Sequence, residues 1–469
     1  MEEDQSESVL YAAPEEASFA DIRCCLVTGG AGFLGRHLVQ ELLDRGCEVH
    51  VFDLAPSTME HDRLKKFQGN VCNYEDVLAA AKGCDTVFHS AAVVNILHYY
   101  DKATYEQSMS INVGGTQNVI RACKEVGAAR LIQTSSMNAV FDGKPVTMYR
   151  ESDGLPDKYC DLYSMTKGLS ERDVIAANGV DGLLTCAIRP SGIYGEGDQL
   201  ILSRMMEGLD DGLLAFLIGP TTALSENSYI DNVVEGHMRA ADRLVPGSPV
   251  CGQAYFINDG KYLNNLHYFR PIMEALGYRF PTRHLPALPF HIAATLGELA
   301  HKYLKTPRPM ILVMEIAKFT VNQPASIEKA QRELGYGPGV PYEEALERCL
   351  PYCRSLVADR EKVDRPALFW WISILGGLTL LGMVGFHGSL WSWWTAHVPF
   401  LGQIPRILYQ LGFTAAVWSH VYKGFKAVML AERAGLQKTA MGWGWQTLLL
   451  GFASMNNLLA RIERLKPAD

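Results

Sequence analysis

From Arg23 onward, apolar residues fall into short continuous runs, and between the runs they recur at helical spacing. CCLVTGG, then AGFLGRHLVQELLDRG, then CEVHVFDL reads as strand, tight glycine turn, amphipathic helix and strand, because unbroken apolar runs mark strands buried on both faces of a parallel sheet. TVFHSAA, RLIQTSS and LLTCAIRP predict further strands, and INVGGTQNVIRACKEVG and YSMTKGLSERDVIAANG predict helices between them. This alternation predicts an α/β fold, a Rossmann-type doubly wound parallel sheet. Beyond Pro190 the pattern loosens into Gly-rich and Pro-rich connections, ending at PYEEALERCLPYCRSL, the last soluble helix expected. A small C-terminal substrate subdomain is expected within 190–357, since specificity sits in such variable connections.

Past Arg365 the solvent changes. No charged residue occurs from Pro366 to Pro405, and all eight tryptophans lie between Trp370 and Trp445. Three hydrophobic stretches, Ala367–Phe386, Ile404–Tyr422 and Ala440–Ala460, are each long enough to cross ~30 Å of hydrocarbon as a helix of ~20 residues. The second begins near Arg406 and the third holds Gln446, Asn456 and Asn457, so a flat interfacial helix is the alternative for both. The rings of WSWWTAH suit a membrane–water boundary. The expected organisation is a disordered lead-in at 1–20, a dinucleotide-binding domain at 21–357, a charged linker at 358–366, and a helical membrane region at 367–469 with two to three spans. If the first two stretches both span, Lys423, Lys426, Arg433 and Lys438 place the loop between the second and third stretches on the cytoplasmic side, with the enzyme domain. A crossing third stretch would then leave Arg461, Arg464 and Lys466 on the far side, against the same rule.

Charge and cysteine content narrow the function classes. The formal net charge is -8, and no basic arm or stripe is present, which argues against a nucleic-acid partner. The lead-in is acidic and interrupted by Pro14, unlike a secretory signal. Eleven cysteines, all before residue 354 and with no CxxC pairing, suggest reduced thiols and no metal site.

In VTGGAGFLG, Gly29, Gly32 and Gly35 end a strand and open a helix, where backbone N–H groups can approach a pyrophosphate. Such glycines also occur in ordinary turns, but Asp53 ends the second predicted strand 18 residues after Gly35. A carboxylate there accepts both ribose hydroxyls and repels a 2′-phosphate, favouring NAD over NADP. The bland alternative for Asp53 is a strand-end cap.

Tyr163 and Lys167 are four residues apart and share one helix face, so the ammonium is expected to lower the tyrosine and make it a general base near neutral pH. A YxxxK pair alone usually means a solvated face. Here it follows a glycine turn and a strand ending in Thr134, Ser135 and Ser136, of which Ser136 is the preferred hydroxyl-positioning residue and one serine is expected only to cap the strand. His89 reads as packing near the cofactor and Asn112 as a helix N-cap.

These residues together resemble the extended short-chain dehydrogenase/reductases over about Ile22 to Leu356, and within them the 3β-hydroxysteroid dehydrogenase branch, which includes bacterial 3β-hydroxysteroid dehydrogenase/isomerases and sterol-4α-carboxylate 3-dehydrogenases. The segments carrying the resemblance are FHSAAVVN, INVGGTQNVI, NGVDGLLTCAIRPSGIYGEGDQ, NSYIDNVVEGHMRAA and GQAYFINDG. It implies that Tyr163 is the acid/base, that Lys167 orients the nicotinamide ribose, and that Ser136 positions the hydroxyl. It further implies NAD contacts from Gly29, Gly32, Phe33, Leu34, Gly35, Asp53, Asn70, Val71, Ala91, Lys167 and Pro190. Arg189 and Pro190 would close the nicotinamide pocket, and the Asn227 to Asn232 loop would approach the substrate. Asn70 departs from the pattern, since many relatives carry an aspartate there that contacts adenine.

The expected reaction is NAD-dependent oxidation of a sterol 3β-hydroxyl to a ketone, followed by isomerisation or, alternatively, by loss of a 4α-carboxylate. Other epimerases, dehydratases or lipid-ketone reductases would share the same catalytic set. A non-catalytic NAD-binding membrane scaffold is the different-class alternative. Expected partners are a sterol, the lipid bilayer and a second copy in a homodimer. The expected location is an integral membrane protein with a cytosolic catalytic domain, at the endoplasmic reticulum or a bacterial inner membrane.

Overall fold

The computed structural model describes residues 21–464 apart from 211–213, 215, 221, 310, 360–367, 398–403, 435, 437 and 438. The lead-in 1–20 and most of the linker 358–366 therefore lie outside the described residues, as does Lys438. The chain forms two compact units: one runs up to Leu202 and adds Phe216–Ile272 and Phe280–Cys349, and the other combines Ser203–Ala215, Met273–Arg279 and Leu350–Asp469.

The first unit is built on a seven-stranded sheet in the order β10-β6-β5-β4-β1-β2-β3, with every neighbouring pair parallel. In chain order the elements are β1 (Cys24–Thr28), α1 (Phe33–Asp44), β2 (Glu48–Asp53), β3 (Leu64–Gln68), α2 (Tyr74–Ala81), β4 (Thr86–His89), α3 (Lys102–Ser108), α4 (Gly115–Val126), β5 (Arg130–Thr134), α5 (Leu162–Ala176) and β6 (Leu184–Pro190). There follow β7 (Gly192–Tyr194), α6 (Leu202–Asp210, which from Ser203 onward belongs to the second unit), β8 (Leu217–Ile218), β9 (Asn227–Tyr229), α7 (Ile230–Arg243) and β10 (Gln253–Ile257).

The continuous apolar runs arise because both faces of the sheet are covered. Along β1, Cys25 and Val27 join the core containing Leu38, Val49, Ile132 and Tyr255, while Leu26 faces the other way into the core containing Phe52, Val77, Val119 and Leu131. Truncating Leu26 to alanine would cost about 2–5 kcal/mol, as for other fully buried leucines. The sequence pattern showed neither edge strand. β3 exposes Lys65 and Lys66, a charged edge that discourages pairing with another chain.

The segment after Pro190 is organised around Asp259. Its carboxylate accepts from Tyr194 Oη at 2.9 Å, Tyr268 Oη at 2.8 Å, Asn232 Nδ2 at 2.8 Å and the Tyr229 backbone N–H at 2.9 Å. This corrects the expectation for Asn227 to Asn232: the segment is a buried strand running into a helix, and Asn232 also donates to the Val340 carbonyl at 3.0 Å. In the helix Ala287–Leu304, fully buried Glu298 accepts from the backbone N–H groups of His98, Tyr99 and Val313 at 2.8, 2.9 and 2.8 Å, fastening the loop that follows β4.

In the second unit the first hydrophobic stretch is the helix Leu368–Phe386, followed by Gly388–His397. The second stretch belongs to a longer helix, Arg406–Arg433, which continues through Lys423 and Lys426, so those residues lie on a helix and not in a loop. Arg406 and Gln410 both donate to the Gly385 carbonyl at 2.9 Å. The third stretch is broken at Gly451, whose φ of +56° only glycine adopts readily, leaving Ala440–Leu450 and Phe452–Arg464 as separate helices. No single helix among the described residues is long and apolar enough to cross a membrane; Trp371–Phe386 and Gly388–His397 meet that test only as a pair bent by 95°.

Candidate active site

The carboxyl ends of β1, β2, β4, β5 and β6 lie along one edge of the sheet, where doubly wound folds bind their ligands. Gly29 follows β1 with φ +70°, and a Cβ there would meet the Ala91 backbone nitrogen at 2.8 Å. At Gly35 a Cβ would meet the Gly29 carbonyl oxygen at 2.0 Å, so the first turn of α1 packs on the glycine turn only because Gly35 has no side chain. Asp53 accepts from the Ala31 N–H at 3.0 Å through one oxygen and from Ala55 N–H at 3.0 Å through the other, locking the turn to the end of β2.

This turn fits a dinucleotide. No side chain caps α1 at Gly32, no acidic residue stands in its first turn, and a Cβ at Gly32 would meet only the Gly29 carbonyl oxygen, at 3.1 Å. The N–H groups at Phe33 and Leu34 are therefore open to an anion at the positive end of the helix dipole. Asn70 and Val71 follow β3 beside Asp53, with Gly69 N–H donating to the Asp53 carbonyl at 3.0 Å. Asn70 is exposed and accepts from Cys72 N–H at 3.0 Å, whereas Val71 is buried against Gly115. Ala91 is drawn to the turn by its N–H bond to Thr28 Oγ1 at 3.3 Å.

Ser136 and Ser135 face opposite ways at the end of β5. The Ser136 hydroxyl stands beside the Tyr163 phenol, whose ionisation it eases, and accepts from Asn138 N–H at 3.2 Å. Ser135 donates to Glu171 Oε2 at 2.6 Å, and Glu171 holds Arg189 through bonds of 2.9 and 2.6 Å. Arg189 is buried 5.2 Å over the Phe256 ring, so it is tied into this ion pair and does not close a nicotinamide pocket; Pro190, the last residue of β6, remains at the carboxyl edge. Glu171 lies one turn beyond Lys167 on α5, a signal that the sequence reading missed.

Burial dominates the electrostatics. It pushes Tyr163 up to about 12, and the nearby Ser136 hydroxyl pulls the other way. Burial brings Lys167 down to about 8, against the pull of the Glu171 carboxylate. The Lys167 ammonium donates to the Thr134 carbonyl at 2.7 Å and lies 5.9 Å from the Tyr163 ring centre. The group easing Tyr163 ionisation in the free chain is thus Ser136, not the lysine that the helical spacing suggested.

Two polar residues build the wall behind this pair. His89 sits between Thr28 Oγ1 at 2.7 Å and Thr116 Oγ1 at 2.9 Å, and burial lowers it to about 3, so it is a neutral packing residue as expected. Asn112 is not an N-cap: the helical run begins upstream, at the Asp101 cap, and Asn112 lies within a π-helical turn, Met109–Gly114, between α3 and α4. Its side chain accepts from Val93 N–H at 2.8 Å and donates at 2.9 Å to both the Val93 carbonyl and Thr166 Oγ1. The loop after β4 is thereby stitched to α5, whose Tyr163 N–H donates to the Asn95 carbonyl at 3.0 Å. Asp161 caps α5 by accepting from Ser164 N–H at 3.0 Å, a cap recognisable in DLYS.

Comparison with known proteins agrees with this geometry. Residues 369–460 match the family described as transmembrane protein 254. The fold is similar to that of MoeE5 in complex with UDP-glucuronic acid and NAD, with a TM-score of 0.55 at 24% identity over 71% of this chain and 99% of that one. A curated relative, 3 beta-hydroxysteroid dehydrogenase/Delta 5-->4-isomerase of Mycobacterium tuberculosis, is 40% identical over 334 residues, covering 71% of this chain and 90% of that protein. The 3beta-hydroxysteroid-dehydrogenase/decarboxylase isoform 1 of Arabidopsis thaliana is 35% identical over 362 residues, 72% of this chain and 81% of that one. With residues 26–287 also matching its family profile, the chain belongs to the 3-beta hydroxysteroid dehydrogenase/isomerase family.

Proposed function

We propose that this protein oxidises the 3β-hydroxyl of a sterol or steroid to the ketone with NAD. The observation that carries the reading is the Ser136 hydroxyl set beside the Tyr163 phenol and easing its ionisation, together with the open glycine turn, in a chain of this family. Gly29, Gly32, Gly35, Phe33 and Leu34 would hold the pyrophosphate, and Asp53 the ribose. NAD, when bound, supplies the hydride acceptor. Ser136 holds the substrate oxygen at the phenol, and Tyr163 as phenolate takes the hydroxyl proton while the carbinol hydrogen leaves as hydride. The free chain favours protonated Tyr163 at neutral pH, a state ready to donate a proton to a ketone, so the oxidative direction is expected to gain with rising pH.

The Arabidopsis relative favours a second outcome, in which the new ketone acts as electron sink for loss of a 4α-carboxylate. NADH formation by the full chain, with a 3β-hydroxysteroid and a 4α-carboxysterol compared and the products identified by mass spectrometry, separates the two. Turnover of a nucleotide sugar alone would refute both.

The same reading places the protein on a bilayer with its catalytic unit in a reducing compartment. Supporting it are the uncharged run from Pro366 to Pro405, the match to transmembrane protein 254, and eleven cysteines that are all free thiols. Leu288, Ile292 and Leu296 also leave one face of the helix Ala287–Leu304 apolar and exposed. An apolar substrate that partitions into the bilayer gives such attachment a purpose. Extraction of the full chain from membranes by alkaline carbonate would count against an integral attachment.

A further inference from the structure

Among the described residues, one group of metal-ligating side chains converges: Cys24, His50 and Cys84. No local spacing announces it, because Cys24 opens β1, His50 is in β2 and Cys84 precedes β4. The sulfurs of Cys24 and Cys84 are 3.5 Å apart, and Cys24 Sγ is 3.8 Å from His50 Nε2. Glu48, two residues before the histidine on β2, places Oε1 3.3 Å from the same nitrogen.

The imidazole is oriented as a ligand. His50 Nδ1 lies 2.7 Å from the Ala80 carbonyl oxygen, which can only accept, so Nδ1 carries the proton and Nε2 presents its lone pair. A backbone carbonyl on the far ring nitrogen is the usual support of a metal-bound histidine. Metal–sulfur bonds of ~2.3 Å and metal–nitrogen or metal–oxygen bonds of ~2.0–2.1 Å put tetrahedral donors ~3.8 Å apart for two sulfurs, ~3.5 Å for sulfur and nitrogen and ~3.3 Å for nitrogen and oxygen. The measured 3.5, 3.8 and 3.3 Å each fall within a few tenths of an ångström of those separations. Cys84 now lies nearest Nδ1, at 3.2 Å, so its side chain must turn toward Nε2. Half-buried Cys24 and half-buried Glu48, whose other side-chain partner among the described residues is exposed Lys65, leave a path for an ion to enter.

We propose that Cys24, Cys84, His50 Nε2 and Glu48 form a tetrahedral site for a borderline divalent cation of the zinc type. Each thiol releases its proton to solvent as its metal–sulfur bond forms, with no redox change. Four protein ligands leave no open position, so the ion clamps β1, β2 and the turn before β4 and does not take part in the reaction.

Cobalt(II) is the probe. Full-length protein stripped with a chelator is expected to take up one equivalent, with a thiolate-to-cobalt charge-transfer band and tetrahedral visible bands that zinc abolishes, and zinc is expected to raise the thermal midpoint. Cys24→Ser and Cys84→Ser should each remove about half of the charge-transfer intensity, while Cys72→Ser, outside the group, should leave it intact. X-ray absorption of the zinc-loaded wild type, which needs no variant to fold, should show two sulfur and two nitrogen or oxygen neighbours. A wild type without the charge-transfer band, a band that keeps its full intensity in Cys24→Ser, a sulfur-free coordination shell, or a Cys24–Cys84 disulfide in place of uptake overturns the site.

Discussion

Two polar clusters share the end of β5 and the first turns of α5, and they use adjacent serines for opposite purposes. Ser136, Tyr163 and Lys167 face the open carboxyl edge of the sheet, with Tyr163 only half-buried and Ser136 lacking a charged partner. Ser135, Glu171 and Arg189 turn the other way into a closed ion pair whose Glu171 and Arg189 side chains are 3% and 4% exposed. The pair spends Arg189 Nε and Nη2 and both Glu171 oxygens on bonds within the cluster, leaving Arg189 Nη1 buried without a partner among the described residues and shut away from the open edge. The open cluster leaves its protons and lone pairs undercommitted, and that makes it usable for chemistry. Reactivity and rigidity are separated across one strand by the alternation of side chains along it.

The separation can be broken from either side. Tyr163→Phe should lower the oxidation rate by about 10²–10⁴-fold while leaving the unfolding midpoint nearly unchanged, as checked by steady-state kinetics and thermal denaturation on the same sample. Arg189→Met should do the reverse, destabilising by about 3–5 kcal/mol because the Glu171 carboxylate is left buried without its partner, in a urea titration. The serine pair sharpens the contrast: Ser136→Ala should cost roughly 10²-fold in kcat. Ser135→Ala should cost about 1.5–3 kcal/mol of stability with kcat preserved, as expected for one hydrogen bond to a charged group. If both serine variants lose activity equally, the division of labour fails.

Two smaller effects depend on pH. Because burial holds Tyr163 near 12, oxidation with NAD should rise from pH 7 toward the alkaline range while ketone reduction with NADH, which uses the protonated phenol, stays level, and the alkaline limb should disappear in Tyr163→Phe. Glu226, buried where it accepts from Ser191 Oγ at 2.7 Å, is raised by burial to about 8. It keeps its proton in the folded chain after losing it in the unfolded one, so its contribution is full below about pH 4.5 and lost as pH rises through about 8. Glu226→Gln should flatten the fall in unfolding free energy between pH 5 and 8.

The sequence made parts of this site legible because their chemistry is local. The glycine turn, Asp53, and the spacing of Tyr163 and Lys167 each depend on a few neighbouring residues, and the folded chain gathers them at one edge. The choice of Ser136 over Ser135 depends on which face of β5 meets α5, a tertiary fact that alternation alone leaves open. Arg189 was misplaced for the same reason, being one residue out of phase with Pro190. The segment Asn227 to Asn232 looked like a free loop because its partner, Asp259, is more than two dozen residues away in the chain. Neither edge strand stood out, since β3 alternates poorly and carries two lysines. The clamp made by Asn112 was hidden by a helix whose period is not uniform.

That irregularity fixes the reading frame of the helix. The π-turn at Met109–Gly114 holds one more residue than an α-helical turn would, which aims Asn112 at Val93 while Val119, Ala122 and Cys123 remain in the core. Deleting one residue there would restore regular hydrogen bonding, yet it would rotate one side against the other by ~100°. Either Asn112 would leave the loop or the apolar face of α4 would turn to water. Many substitutions can be absorbed in this turn, but a change in its length cannot.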